Sequence, residues 1–585
     1  MEYLTNLNKN QYKAVTTNSN KVLVIAGAGS GKTKVLTSRI AYLLDNGVDK
    51  NEIVAFTFTK RAAKEMEYRL KNYEFNNIYT FHSFCFKLLI ENKDELGFQN
   101  FERIKLVTDD YEYKIIDNIL NELNIKYNQR VIKDYISKRK NEIAYPFKDI
   151  KQEALFNKIY YLFQNNLMKH GGIDFDDMVS LIANNIDNLS MKNDIFASCK
   201  YILVDECQDT NEIQYKLISK LSQKYNNIFM VGDDAQKIYS FRTSDVDILS
   251  RFKDSCDEVI ILNQNYRCAK NILDSANELI SNNSTNTHKD LFSLIPPKYE
   301  IKYYDYRDTS QQAIFVTQKI QSLISNGYRP NEIAVLFRNN YESNEIEYHL
   351  KKNNIPFTTY GKLKFYQYNE PSKMIALYQY LEDIDDYIQF REAIPIDQAI
   401  YPKLINDYKQ SNKSFLDYLI ESPYDNLKET AIKLKNIYNN RSSYTKERLF
   451  DALTKILFNN TSNKDMTRLI ELKDLIVNNE LEHEIDIIND LMLNDDSKDD
   501  IMGVNLMTIH KAKGLEFKCV FIISLNDGII PSNLKDNNIF EEERRLLYVG
   551  ITRAKEFLYL SSAEYHYING IRKKLRPSIF MSEIK

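Results

Sequence analysis

AGAGSGKT, Ala26–Thr33, follows the apolar run 22–25 and precedes the amphipathic stretch 35–44. An apolar strand, a glycine loop and then a helix is the setting in which such a pattern binds phosphate. Gly27, Gly29 and Gly31 let the backbone turn tightly and approach an anion, so that successive N–H groups from Ala26 through Ala28 and Ser30 to the helix start face it. Lys32 then neutralises β and γ phosphates, and the Thr33 hydroxyl holds a magnesium ion. Ala26 stands where the strict pattern has glycine, but the Lys-Thr pair after Gly31 argues against a purely structural turn.

Outward from this loop, 585 residues exceed what one core can organise, and about 150 residues per domain gives roughly four units. A net charge of −3 excludes a global basic field and leaves room only for a local basic channel. No two of Cys85, Cys199, Cys207, Cys256, Cys268 and Cys519 have zinc or iron–sulfur spacing, so a reduced, cytoplasmic protein is expected. No apolar run approaches the roughly 20 residues that span a bilayer, which predicts neither secretion nor insertion.

Along the chain, the amide of Gln11 in LNKNQ has the donor and acceptor to pair with an adenine edge. In IVAFTFTKRAAKEM a strand runs into a helix and leaves Phe58 at the carboxyl end, the edge where open α/β sheets bind ligands. A second junction, NNIYTFHSFCFKLL, places His82 likewise, although taken alone Phe58 reads better as core and His82 as a satisfied surface residue. Helical periodicity over 85–171 reads as an insertion, and GGIDFDDM marks the return through an Asp-capped helix, a better account of its carboxylates than a metal site.

The buried strand of KYILVDECQDT delivers Asp205, a magnesium ligand, and Glu206, a base that orients and deprotonates water. GDDAQKIYSFR then sets Gln236 to sense the γ-phosphate, with Tyr239, Phe241 and Arg242 beyond it. Aromatic faces stack on bases of any sequence at about 1 to 3 kcal/mol each. In LNQNYR, Tyr266 offers a face for adenine, and Arg267 reaches toward the γ-phosphate.

Together with VLFRNN, LMTIHKAKGLEF and EEERRLLYVGITRAK, this ordered set resembles the UvrD, Rep and PcrA family of superfamily 1 helicases. The resemblance runs from the N-terminus to about 370 and from about 500 to the end. It implies an α/β protein with two RecA-like P-loop domains built on parallel sheets, each carrying a mainly helical insertion. The boundaries that follow are 1–84 and 172–262 for the first domain, 85–171 for its insertion, 263–370 and 501–585 for the second domain, and 371–500 for the second insertion. It further implies ATP and Mg2+ as cofactors and 3′-to-5′ movement on single-stranded DNA or 3′-tailed duplexes. By the same resemblance Gln11 reads adenine, Glu516 contacts the ribose, and Arg267 and Arg553 are arginine fingers from the second domain. Phe58, His82, Tyr239, Phe241, Arg242 and His510 match positions lining the DNA path.

Three departures stand out. The platform aromatic, usually Trp, is Phe241. A glycine pair near Tyr360 reads Gly361-Lys362, followed by Phe365-Tyr366 and Pro371. The second insertion, closing in the acidic LNDDSKDD, is short. The ending RPSIFMSEIK resembles the close of the family core, so no fused nuclease is expected.

The expected activity is that of an ATP-dependent DNA translocase and helicase in repair, replication or recombination, monomeric or weakly self-associating, with protein partners left open and no membrane. Two rivals stand beside it: an ATPase subunit of an antiphage or other complex with little unwinding of its own, and a P-loop ATPase acting on protein or small molecules.

Overall fold

The computed structural model describes residues 2–190, 199–239, 248–284, 290–361, 365–458, 466–494, 503–568 and 571–584. It is a mixed α/β chain that divides into two compact units. One comprises Met1–Phe81, Met191–Lys362 and Asp496–Lys585, the other His82–Ser190 and Leu363–Asp495.

In chain order the strands are β1 (Lys21–Ala26), β2 (Ile53–Thr57), β3 (Ile78–Thr80), β4 (Lys105–Leu106), β5 (Gly172–Ile173), β6 (Tyr201–Val204), β7 (Ile228–Gly232), β8 (Glu258–Leu262) and β9 (Gln264–Asn265). Then come β10 (Phe292–Ser293), β11 (Lys302–Asp308), β12 (Ile333–Phe337), β13 (Phe357–Thr359), β14 (Val504–Thr508), β15 (Phe517–Ile522), β16 (Ala554–Ile568) and β17 (Ile571–Lys574).

The first unit holds two large sheets. One is all-parallel in the order β3-β2-β6-β7-β1-β8. Helices cover such a sheet on both faces, which is why β1, β2 and β7 read as unbroken apolar runs rather than alternating ones. Because every strand points the same way, the turns after β1, β6 and β7 emerge side by side at one edge. Sequence motifs two hundred residues apart thereby become neighbours.

The second sheet runs β11-β16-β15-β12-β14-β13, all parallel, with β17 antiparallel to β16. Alternation along β12 shows how it is covered. Ala334 and Leu336 join Leu546, Leu547 and Ile272 in one core, while Ile333, Val335 and Phe337 join Val316, Ile320 and Leu350 in another. The first of these cores also takes in Ala28, Ala235 and Ile238 from the turns of the first sheet, so the two sheets share buried apolar surface.

The second unit is mainly helical and joins parts of both insertions. The backbone of 104–106 pairs through β4 with β5 and, beyond it, with side chains far along the chain. Asn489 donates to Ile104 O at 2.8 Å and accepts from Leu106 N at 3.0 Å, taking the place of a strand neighbour, and Gln379 donates to Leu106 O at 2.6 Å. Buried Asp386 accepts from Tyr111 OH at 2.7 Å and pairs with Lys105 at 3.4 Å.

The contacts of GGIDFDDM lie in this unit too. Asp174 caps the helix Phe175–Asn185 in a reciprocal box with Asp177, and the buried Lys140 ammonium sits between these two carboxylates. Capping and an internal cation therefore account for the acids, and the helix lies with the insertion rather than opening the return to the first sheet. Pro371, unexpected in the sequence, occupies the first turn of the helix Asn369–Tyr380, where a missing N–H costs nothing. Of LNDDSKDD, residues 495–500 lie outside the described residues, as does Lys362. Among the described residues no helix is long and apolar enough to cross a membrane.

Candidate nucleotide and nucleic-acid site

The glycine loop leaves β1 and enters the helix Lys32–Asp45 through Gly31 at φ +87°, a conformation that penalises any side chain. No side chain caps this helix start and no acid lies in its first turn, which suits its N–H groups to an anion. Gly29, at φ +65°, is approached closely: a Cβ there would lie 2.7 Å from Asn265 Nδ2 and from Arg267 Cβ. Asn265 donates to Ala28 O at 2.7 Å and Tyr266 N to Gly29 O at 2.9 Å, so 265–267 lies strapped against the loop.

Gln11 is buried, and both ends of its amide are in use. Its Nε2 donates to Ser30 O at 2.9 Å and its Oε1 accepts from Asn8 N at 3.1 Å. It braces the loop, with one N–H and one lone pair left over for a base edge. The half-exposed Tyr266 ring stands nearby, its hydroxyl donating to Gln264 Oε1 at 3.0 Å and accepting from Asn8 Nδ2 at 2.9 Å.

Beyond β6, Asp205 is buried at the strand end and Glu206 beside it is half-buried. Glu206 has φ +50°, rare for a residue with a side chain, and this aims its carboxylate at the glycine loop. Its Oε2 accepts from Lys32 Nζ at 2.9 Å and Gln208 Nε2 at 2.5 Å. Burial would raise its pKa, but Lys32 and Lys513 outweigh that and hold it at about 2. Asp205 goes the other way, pushed up to about 7 by burial and by the Glu206 charge. Both cations favour Glu206, which leaves a deficit of positive charge on the Asp205 side.

The opposite imbalance lies across from them. Arg553, almost wholly buried, donates through Nε to Val549 O at 2.9 Å, through Nη1 to Leu515 O at 3.0 Å and through Nη2 to Gln236 Oε1 at 3.3 Å. Burial and then the Arg267 charge pull its pKa down to about 9. Gln236 itself donates to Asp233 Oδ2 at 2.6 Å. Arg267 pairs through Nε with Glu516 Oε2 at 2.7 Å, and Lys555 holds the other carboxylate oxygen. Burial raises the Glu516 pKa, but these cations bring it to about 2. The residue read as a ribose contact and one of the two fingers therefore hold each other.

An uncapped helix start, a buried guanidinium short of anions and a carboxyl short of cations together fit a phosphate chain with a divalent ion beside it. Thr33 and Asp205 are the residues that would hold the ion, and Lys32, Arg267 and Arg553 those that would face the phosphates.

On the neighbouring surface Phe58 stacks on Tyr239 with ring centres 5.3 Å apart and planes 17° apart. The Tyr239 hydroxyl donates to His510 O at 3.1 Å, and Lys513 lies 5.1 Å over the Tyr239 ring. His82 belongs to the second compact unit, where its ring lies edge-on to Phe175. Phe241 and Arg242 lie outside the described residues.

Sequence reading missed several participants. Lys513 reaches from the second sheet to Asp209 and, at 2.7 Å, to Gln236 O. Gln208 and Asp233 link the turns after β6 and β7 through a 2.9 Å bond. Asn265 straps the glycine loop. The signal was present for Lys513, which sits between His510 and Glu516 in HKAKGLEF, but a lysine beside matched positions carries no address without the fold.

Comparison with known proteins agrees with this geometry. Residues 7–257 match the UvrD/REP helicase N-terminal domain, and residues 260–565 match the UvrD-like helicase C-terminal domain. The ATP-dependent DNA helicase PcrA of Staphylococcus epidermidis (strain RP62A) is 34% identical over 632 positions, covering 99% of this chain and 86% of that protein. The enzyme of the same name from Staphylococcus aureus (strain Mu50) is 33% identical over 634 positions with the same coverage. The chain belongs to the UvrD/Rep family of ATP-dependent DNA helicases.

Proposed function

We propose that this helicase is a motor that moves 3′ to 5′ along single-stranded DNA and separates duplexes bearing a 3′ tail. The observation that carries the reading is the 3.3 Å contact between Arg553, which directly precedes the second sheet's β16, and Gln236, in the turn after the first sheet's β7. Lys32 and Glu206 sit on the first-sheet side of that contact, and Arg267 and Arg553 on the other. Turnover then depends on the two halves meeting, because a finger arginine is worth roughly 10³ to 10⁵ in rate.

Lys32 now shares Glu206 Oε2 with Gln208. When phosphates draw the ammonium away, Glu206 loses its main cation, grows more basic and takes the proton of the attacking water. A magnesium ion on Thr33 and Asp205 supplies positive charge against the phosphates when bound. The bases of the strand stack on Phe58 and Tyr239 beside His510, and by the family resemblance His82, Phe241 and Arg242 also contact the strand. Since Tyr239 touches both Phe58 and His510, the stacking surface spans the same seam as the fingers. Work in the cytoplasm on repair, replication or recombination intermediates, as a monomer or weakly associating species, suits this chemistry.

The test is ATP turnover and strand displacement by the purified chain on 3′-tailed, 5′-tailed and blunt duplexes. Displacement confined to 3′ tails, with salt-sensitive stimulation, is the expected result. Stimulation without displacement would favour an ATPase subunit that needs partners, and turnover indifferent to DNA would sink the DNA-motor reading.

A further inference from the structure

The helix Asn537–Ile551 carries two adjacent arginines with different destinations. Arg544 stays within the second-sheet half, donating to Glu583 Oε2 at 2.7 Å and to Asn283 Oδ1 at 2.6 Å. Arg545 reaches across, its Nε donating to Lys237 O at 2.9 Å while its Nη1 lies 3.9 Å from Glu541. Its side chain is only 12% exposed, so this donor meets its carbonyl largely out of water. A charge-assisted bond is strongest there.

The peptide it grips decides where Gln236 points. Asp233 organises the turn from one side, accepting from Ala235 N at 3.1 Å and from Gln236 Nε2 at 2.6 Å. From the other side Lys513 holds the Gln236 carbonyl and Arg545 the next one. Two residues later Tyr239 enters the aromatic surface. A segment of four residues thus carries both the γ-phosphate sensor and a base platform, and the second half grips its backbone at two successive carbonyls.

We propose that Arg545 is a positioning residue for nucleotide turnover, acting through the Lys237 carbonyl to hold the Gln236 amide against Arg553. It touches neither substrate nor reacting atoms. The proposal rests on Gln236 serving hydrolysis, as read above.

Arg545→Ala, Arg545→Lys and Arg544→Ala are compared with wild type in steady-state ATP turnover with and without single-stranded DNA, alongside thermal unfolding. For Arg545→Ala the expected result is kcat down about tenfold, with KM for ATP within about twofold, since a lost transition-state contact lowers kcat alone. Arg545→Lys, which keeps a charged donor, recovers to within about threefold of wild type. Arg544→Ala lowers the unfolding temperature without that split. A kcat for Arg545→Ala within about twofold of wild type, or the same split from Arg544→Ala, overturns the proposal. Wild-type turnover that ignores DNA would instead count against the motor reading, leaving the kcat comparison intact.

Discussion

Replacing Arg553 by lysine separates charge from geometry in one substitution. Burial and the neighbouring Arg267 pull the guanidinium well below its ordinary value, to about 9, so it is charged at neutral pH. A lysine ammonium gives up its proton about 2 pH units more readily than a guanidinium, so in the same surroundings Arg553→Lys loses its charge at a lower pH than wild type. Arg553→Lys also forfeits the donors to Val549 O and Leu515 O, so it is less active at every pH. The assay is kcat/KM for ATP from pH 6 to 8.5, which reports groups of the free enzyme. The variant's value relative to wild type is expected to fall as pH rises, by at most about tenfold per pH unit for one titrating group, because only the charged form serves as a finger. A ratio flat across that range, in a variant that unfolds at the wild-type temperature, would refute the reasoning.

Three further outcomes follow from the same geometry. Glu206→Gln keeps the acceptor for Lys32 but cannot take a proton, so kcat should fall by about 10³ or more while nucleotide binding, read by a fluorescent analogue, stays within a few-fold. Asn489→Leu leaves Ile104 O and Leu106 N without their buried partner, which should destabilise the second unit by roughly 2 to 4 kcal/mol in urea and speed amide exchange at 104–106. Glu392, hydrogen-bonded by Thr108 at 2.6 Å, is pushed up to about 7 by burial. Its folded form therefore holds a proton that the unfolded chain gives up near pH 4.5. Its contribution is full below that pH and is lost as pH rises through about 7, at no more than about 1.4 kcal/mol per pH unit. Denaturation curves of Glu392→Gln should lack that component, and a pH dependence identical to wild type would contradict it.

The parts of the site legible in the sequence are those where chemistry is local to a strand end. Val22 to Thr33 spells strand, turn and helix in one run, and the apolar run before Asp205 and Glu206 tells that they end a buried strand. Because all strands of the first sheet are parallel, strand ends read one at a time were already at one edge. Gln11 shows what that reading leaves out: its type fits a base edge, and it also braces the loop through Ser30 O and Asn8 N, contacts visible only once the helix Lys9–Thr16 is placed. The joining of the insertions was illegible for a different reason. Asn489 meets Leu106 across 383 positions, and an asparagine on an amphipathic helix carries no sign that it completes a distant strand. Arg544 and Arg545 differ in destination and not in type, so only the helix's orientation separates a tie within one half from a tie between halves.

The central claim, that ATP turned over at the seam between the two sheets drives directed travel, is tested most directly by stopped-flow translocation on single strands of increasing length, labelled at one end. The expected result is an arrival signal at a 5′-end label whose lag grows linearly with strand length, and none at a 3′-end label. Arrival at the 3′ end, or a lag indifferent to length while ATP is consumed, would contradict it.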